Sequence, residues 1–206
     1  MTRKKKITLE DLYSQTHHLL MEKGYDQFSF GLLADNLAVS RTAIYKYYSN
    51  KDDLINDYLT LEMNKFLTEF EEMKWSEDVE EHFNQMFQLI FNYSDVHHLS
   101  IMFLQKLQLQ GKLLKDKDNV SKYLHKIMLD HIQAFIMTGQ EKGYFRTSVP
   151  ASLLISMIFH SVMIEDRSGL SASERARHIR EILAHGMFQR DKNIQNSNHK
   201  EKPFKG

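Results

Sequence analysis

The chain has 206 residues, 42% of them hydrophobic, with 27 basic and 27 acidic side chains and a formal net charge of +0. That length supports one sizeable core, or a small domain beside a larger one. The lack of cysteine excludes a disulfide framework and thiolate metal sites, and is compatible with a reducing compartment.

No run approaches about 18 uncharged apolar residues, so no membrane span is expected. The basic stretch 1–6 is followed by no apolar h-region, so no signal peptide is indicated and a cytoplasmic protein is expected. Charge neutrality hides an uneven distribution. Residues 1–51 hold eight basic side chains (Arg3, Lys4, Lys5, Lys6, Lys23, Arg41, Lys46, Lys51) against five acidic ones. Residues 52–81 hold eleven acidic side chains against Lys65 and Lys74. A basic end of this kind suits phosphate, and the acidic stretch reads mostly as a solvated helix face.

In chain order, a first helix is expected from Thr8 to Lys23, with Leu12, Thr16, Leu19, Leu20 and Lys23 on its inner stripe. Gly24 stands where a helix end wants a left-handed residue. Tyr25 and Phe28 are expected to pack beneath the next two helices. The lysines ahead of the first helix form either an arm that reaches phosphate or the minor groove, or a disordered solubilising terminus.

Ser29 is a candidate N-cap, and Phe30, Leu33, Ala34 and Leu37 recur at helical spacing behind it. Ala38 and Val39 make a turn, Ser40 is a second N-cap, and Ile44 with Tyr48 forms an inward pair. The outward residues are then Arg41, Thr42, Tyr45 and Lys46, with Tyr47 at the edge. Donors and flat amphipathic rings on a short second helix are what a helix-turn-helix presents to a major groove.

A fourth helix follows the Asn50 cap, with Leu54, Tyr58, Leu61 and Lys65 as its stripe, and runs to about Lys74. Asp52 and Asp53 suit the positive end of its dipole. Lys51 does not, which makes sense if a phosphate sits there.

The remainder reads as helix throughout. Val79, Phe83, Met86, Phe87 and Ile90 mark a fifth helix ending near Tyr93, and Leu99 to Leu109 a sixth closed by Gly111. A seventh (Val120, Tyr123, Leu124, Ile127, Met128, His131, Ile132, Phe135) stops at Gly143. Pro150 is placed as the first residue of an eighth that reaches about Asp166 and is apolar almost all round. Ser171 and Glu174 have capping-box spacing for a ninth, whose apolar side is Ile179, Ile182, Leu183, Met187 and Phe188. Residues 191–206 are expected to be disordered. The fold class is all-α.

The combination Gly24-Tyr25-Asp26, Phe28-Ser29, Leu33-Ala34, Val39-Ser40, Ala43-Ile44-Tyr45, Tyr47-Tyr48 and Asn50-Lys51-Asp52-Asp53-Leu54 resembles the DNA-binding domain of the tetracycline-repressor (TetR) family of bacterial regulators. The resemblance covers residues 9–55. It implies a three-helix helix-turn-helix domain over 1–51, a larger helical ligand-binding and dimerisation domain over 52–190, and about nine helices in all. It implies phosphate contacts from Ser29, Tyr45, Tyr47 and Lys51 and base reading by Arg41, Thr42, Ala43 and Lys46. Two departures stand out. Gly31 lies where some relatives carry a long polar base-reading side chain, so little direct readout from helix 2 is expected. Ala38 replaces the more usual turn glycine, which costs on the order of 1 kcal/mol if its φ is positive.

The resemblance further implies a homodimer through helices 8 and 9 on a palindromic double-stranded operator, and a small hydrophobic or amphipathic effector that releases it. The implied ligand lining is Phe83, Met86, Phe87, Ile90, Phe103, Leu107, Met128, His131, Phe135, Met157 and His160, a Met- and Phe-rich set for which an ordinary packed core is the plainer reading. No cofactor is implied. The alternatives are a regulator under protein control or with no ligand, and a helical carrier or enzyme with a degenerate head. Against an enzyme, the chain has no glycine-rich phosphate loop, GxSxG or HExxH motif and no cysteine nucleophile. His178, Glu181 and His185 share one helix face at metal-like spacing, but no second such motif accompanies them.

Overall fold

The computed structural model describes residues 7–74, 76–111, 119–164 and 169–188. Among these the chain forms α1 (Leu9–Gln27), α2 (Phe30–Leu37), α3 (Arg41–Tyr45), α4 (Lys51–Glu72), α5 (Val79–Asn92), α6 (Ser94–Leu109), α7 (Asn119–Glu141), α8 (Ala151–Ser161) and α9 (Ala172–Met187). The described residues contain no strand, only an isolated antiparallel bridge between Phe145 and Phe188. The fold is all-α with a helix-turn-helix near its N-terminus. The chain divides into two compact units, residues 1–75 with 88–128 and residues 76–87 with 129–206.

In the first unit, side-chain caps set the helix starts. Thr8 and Asp11 form a reciprocal capping box at α1, the Ser29 hydroxyl accepts from the Leu32 N–H, and the Asn50 side chain accepts from the Asp53 N–H. Each satisfies amides that a helix start leaves without partners, at about 1 kcal/mol per cap. Gly24 interrupts α1 with φ 71° and ψ 172°, conformational space that glycine enters without a Cβ clash. Ala38 does have a left-handed backbone, φ 55° and ψ 45°, so the alanine cost is real. Leu12, Leu19, Leu20, Phe28, Leu33, Ala34, Ile44, Leu54 and Ile55 are buried together, each large side chain contributing about 1.5–3 kcal/mol relative to exposure.

The second unit is tied by aromatic rings far apart in sequence. Phe145 lies 5.3 Å from Phe135 and 5.0 Å from Phe188, and Phe188 lies 5.8 Å from Phe83. The Arg146 N–H donates to the Met187 carbonyl at 2.8 Å, and Gln140 donates to the Arg146 and Val149 carbonyls. The Phe145 ring lies on Gly139, leaving no room for a Cβ there. Ser171 and Glu174 form the capping box expected at α9, which holds the Glu174 carboxyl below its usual range.

Several expectations shift. Lys23 is not an inner residue: it is exposed and pairs with Glu22 at 2.7 Å. Leu61 is also exposed, because the buried side of α4 follows Leu54, Ile55, Tyr58, Leu59 and Met63 instead. The sixth helix starts at Ser94, well before Leu99, since only Tyr93 separates it from α5 and no Gly or Pro marks the break. Pro150 is the N-cap of α8 and not its first helical residue. That helix closes at Ser161, short of the expected Asp166. The basic arm 1–6, the tail 191–206 and the side chains of Val120, Tyr123 and Leu124 lie outside the described residues.

Candidate nucleic-acid interface

The α2–turn–α3 element is fixed from behind by Ile44, which is fully buried, and by the turn bonds from the Ala38 and Val39 N–H groups to Asp35 and Ala34. With that side anchored, Arg41, Thr42, Tyr45, Lys46 and Tyr47 are exposed and Ala43 is half-buried. Helix α3 has only five residues, so Lys46 is its C-cap and Tyr47 comes next in the turn. The Ser40 side chain makes no cap bond.

Tyr45 is 57% exposed, and its ring edge stands on Phe30 at 5.1 Å, which limits where the hydroxyl points. The Tyr47 hydroxyl donates to the Ile7 carbonyl at 2.8 Å, so a phosphate contact there requires that bond to exchange. Ser29 is exposed beside the first turn of α2, its hydroxyl oxygen accepting the Leu32 N–H at 3.3 Å.

Two placements were not legible from the pattern. Arg41 is one: a Cβ on Gly31 would stand 2.6 Å from its Nη2, 3.0 Å from Cζ and 3.2 Å from Nε. The guanidinium therefore occupies the space over α2 that the missing side chain vacates. Lys51 is the other. Its ammonium donates to the Tyr25 carbonyl at 2.8 Å and the Phe28 carbonyl at 3.2 Å, and lies 4.0 Å from the centre of the Tyr25 ring. It thereby satisfies carbonyls at the end of α1.

Behind the exposed α3 face, the Tyr48 hydroxyl is shared with Tyr13 at 2.7 Å and donates to Asp57 at 3.2 Å. Burial first, then these neighbours, pushes its pKa up, so the phenol stays neutral.

The expected ligand lining is divided. Ile90, Phe103, Leu107 and Met128 are buried in the first unit. Phe83, Met86 and Phe87 are buried in the second, and Phe135 is half-buried against His82 at 4.4 Å. Met157, His160 and His131 are exposed. The His160 ring donates to the Ser156 carbonyl one turn back on its own helix. An open groove of about 1070 Å³ in the first unit is lined by Tyr13, His17, Tyr58, Glu62, Glu69 and Asp95 among others, and by none of the residues expected to hold a ligand. Among the described residues no group of three or more His, Cys, Asp or Glu side chains is placed to hold a metal, His178, Glu181 and His185 included. No described helix is long and apolar enough to cross a membrane.

Residues 12–58 match the sequence family described as bacterial regulatory proteins, tetR family. No curated protein sequence matches the chain. Solved structures share its fold. The ketosteroid transcriptional regulator KstR2 of Mycobacterium tuberculosis has a TM-score of 0.64 at 16% identity, over 91% of this chain and 100% of that one. The TetR family transcriptional regulator PfmR from Thermus thermophilus has 0.65 at 20% identity, over 85% and 97%. AibR, solved in complex with isovaleryl coenzyme A and operator DNA, has 0.60 at 14% identity, over 84% and 96%.

Proposed function

We propose that this chain, a DNA-binding transcriptional regulator of the tetR family, is a cytoplasmic one-component repressor that grips a palindromic operator as a homodimer and is released by a small hydrophobic or amphipathic molecule. The observation that carries the DNA half of this reading is the exposed Arg41, Thr42, Tyr45 and Lys46 face held in place by buried Ile44. Arg and Lys donate to guanine O6 and N7, and the Thr42 and Ala43 methyl groups suit a thymine methyl. Ser29 and the Tyr45 hydroxyl serve phosphates, which orient the head without reading sequence.

Dimerisation is supported by apolar side chains that α8 and α9 leave uncovered: Leu153 is 51%, Met157 44% and Ile182 69% exposed. Exposed large apolar residues on neighbouring helices mark an interaction surface. A two-fold pair would set its heads about 34–36 Å apart, or a multiple of it, on the duplex. Effector control is supported by the AibR structure, which holds an acyl coenzyme A together with operator DNA on this fold. In the present chain Phe83, Met86 and Phe87 are buried and Phe135 is half-buried in the second unit, with the Phe83 and Phe87 ring centres 5.8 Å apart, and these four form the core of the proposed lining.

The test is selection of duplexes from a random pool, followed by titration of the selected duplex with wild type, Tyr45→Ala and Lys46→Ala. Palindromic sites are expected, with each variant weakened by about 1–3 kcal/mol, roughly five- to 150-fold, at unchanged melting temperature. A protein that stays monomeric and selects no duplex at low salt overturns the reading.

A further inference from the structure

Gly31 sits inside α2 with ordinary helical geometry, unlike Gly24, Gly111, Gly143 and Gly169, whose φ values are positive. Its backbone therefore does not require glycine, and glycine in a helix is less favourable than alanine by about 0.5–1 kcal/mol. What glycine supplies is space. Three atoms of the Arg41 guanidinium stand within 2.6–3.2 Å of where a Cβ would be, closer than a side chain there would permit. The guanidinium is laid across the first turn of α2.

That position is electrostatically uneven. The N-terminal turn of a helix carries partial positive charge, so a cation held beside it is unfavourable alone and favourable when an anion joins both. Among the described residues no carboxylate forms an ion pair with Arg41. Ser29, at the same turn, is exposed.

We propose that Gly31 is a positioning residue for DNA binding: its bare α-carbon seats Arg41 against α2, where the guanidinium meets a backbone phosphate and not a base edge. The proposal rests on the regulator reading above and reassigns one residue within it. Arg41 then contributes affinity and register, and base discrimination falls to Thr42, Ala43 and Lys46.

A double-mutant cycle on the full-length protein tests it, using duplex selected by wild type. Gly31→Ala should fold at least as well as wild type by thermal melting, since the added methyl meets only the flexible end of Arg41. It should weaken binding by about five- to tenfold and make the log K against log salt slope shallower by about 0.9, one phosphate's worth. Arg41→Ala should do the same, with base preferences unchanged. Gly31→Ala added to Arg41→Ala should cost nothing more. Independent, additive losses would overturn the seat, as would an Arg41→Ala variant that keeps the full salt slope and loses preference at one base pair. The failures are distinguishable: wild type that binds no duplex overturns the regulator reading together with the seat, whereas additivity removes the seat alone.

Discussion

The two compact units differ in the contacts that stand out in each. In the first, three helix starts are closed by side-chain caps three residues away, Thr8 to Asp11, Ser29 to Leu32 and Asn50 to Asp53. In the second, the organising contacts join Phe83, Phe145 and Phe188 across more than 40 residues of sequence. Capped, short-range structure is partly announced in a sequence: spacing and residue type mark Ser29 and Asn50, although they leave the Thr8–Asp11 box unread and mark Ser40, which makes no cap bond. Ring-on-ring packing is not, because many apolar residues satisfy the same periodicity. The proposed reading face belongs to the first kind of structure and the proposed ligand lining to the second.

The sharpest break between the units should come from the uncovered face of α8 and α9. Leu153→Asp combined with Ile182→Asp changes two exposed positions and should leave the protomer folded. Sedimentation should show a dimer for wild type and a monomer for the double variant. Operator affinity should then fall about a hundredfold or more, because the second head no longer binds at high effective concentration. A double variant that remains a tight dimer would place the interface elsewhere.

Next in size is a matched pair of glycines. Gly139→Ala drives a methyl into the buried Phe145 ring and should destabilise by about 1–3 kcal/mol in urea or thermal unfolding. Gly186→Ala, within α9 and with nothing inside 4 Å of the new methyl, should instead stabilise by up to about 1 kcal/mol. The same substitution giving opposite signs would show that the aromatic lock, and not helix propensity, governs the second unit. Equal effects would contradict it.

Lys51 sharpens the comparison from inside the first unit, where local reading is otherwise strongest. Its place after the Asn50 cap suggests phosphate, whereas the structure directs it to the Tyr25 and Phe28 carbonyls. Lys51→Met should therefore lower stability by about 1 kcal/mol, with the salt slope of DNA binding nearly unchanged. A slope shallower by about one, at unaltered stability, would restore the phosphate role.

These cases show how far the sequence reaches. The caps at Ser29, Asn50 and Ser171 and the inward Ile44 were legible because each depends on neighbours within a few residues. The fold class was legible for the same reason, from helical period in every segment. The start of α6 was not, since the break at Tyr93 carries no Gly or Pro signal. The seat of Arg41 was not legible either: Gly31 stood out as a gap, but only three dimensions show what fills it. For the ligand lining, Met157 and His160 on α8 fit the periodic pattern yet are exposed, because on a helix that is apolar nearly all round the period cannot say which side is covered, and His131 on α7 is exposed as well.

The smallest predicted effect concerns Tyr25, which joins α1 to α4. Its hydroxyl donates to Asp52 Oδ1 at 2.6 Å, and its pKa is pushed up to about 12, first by burial and then by that carboxylate. The folded state thus prefers the neutral phenol more strongly than the unfolded chain, whose tyrosine titrates near its ordinary value of about 10. A raised folded pKa gives stability that is complete below about 10 and is lost as pH climbs through about 12. Tyr25→Phe removes both the hydrogen bond and the titration. The variant should melt a few degrees below wild type at pH 8, a gap set by a hydrogen bond of about 1 kcal/mol. Between pH 10 and 12 the gap should close, as wild type loses what the variant never had. Lys51 and Lys106, which face the same ring at 4.0 and 5.9 Å, are present in both proteins, so the difference is left to Tyr25. A gap that stays constant across that window would mean the Tyr25–Asp52 bond does not hold the end of α1 to the start of α4.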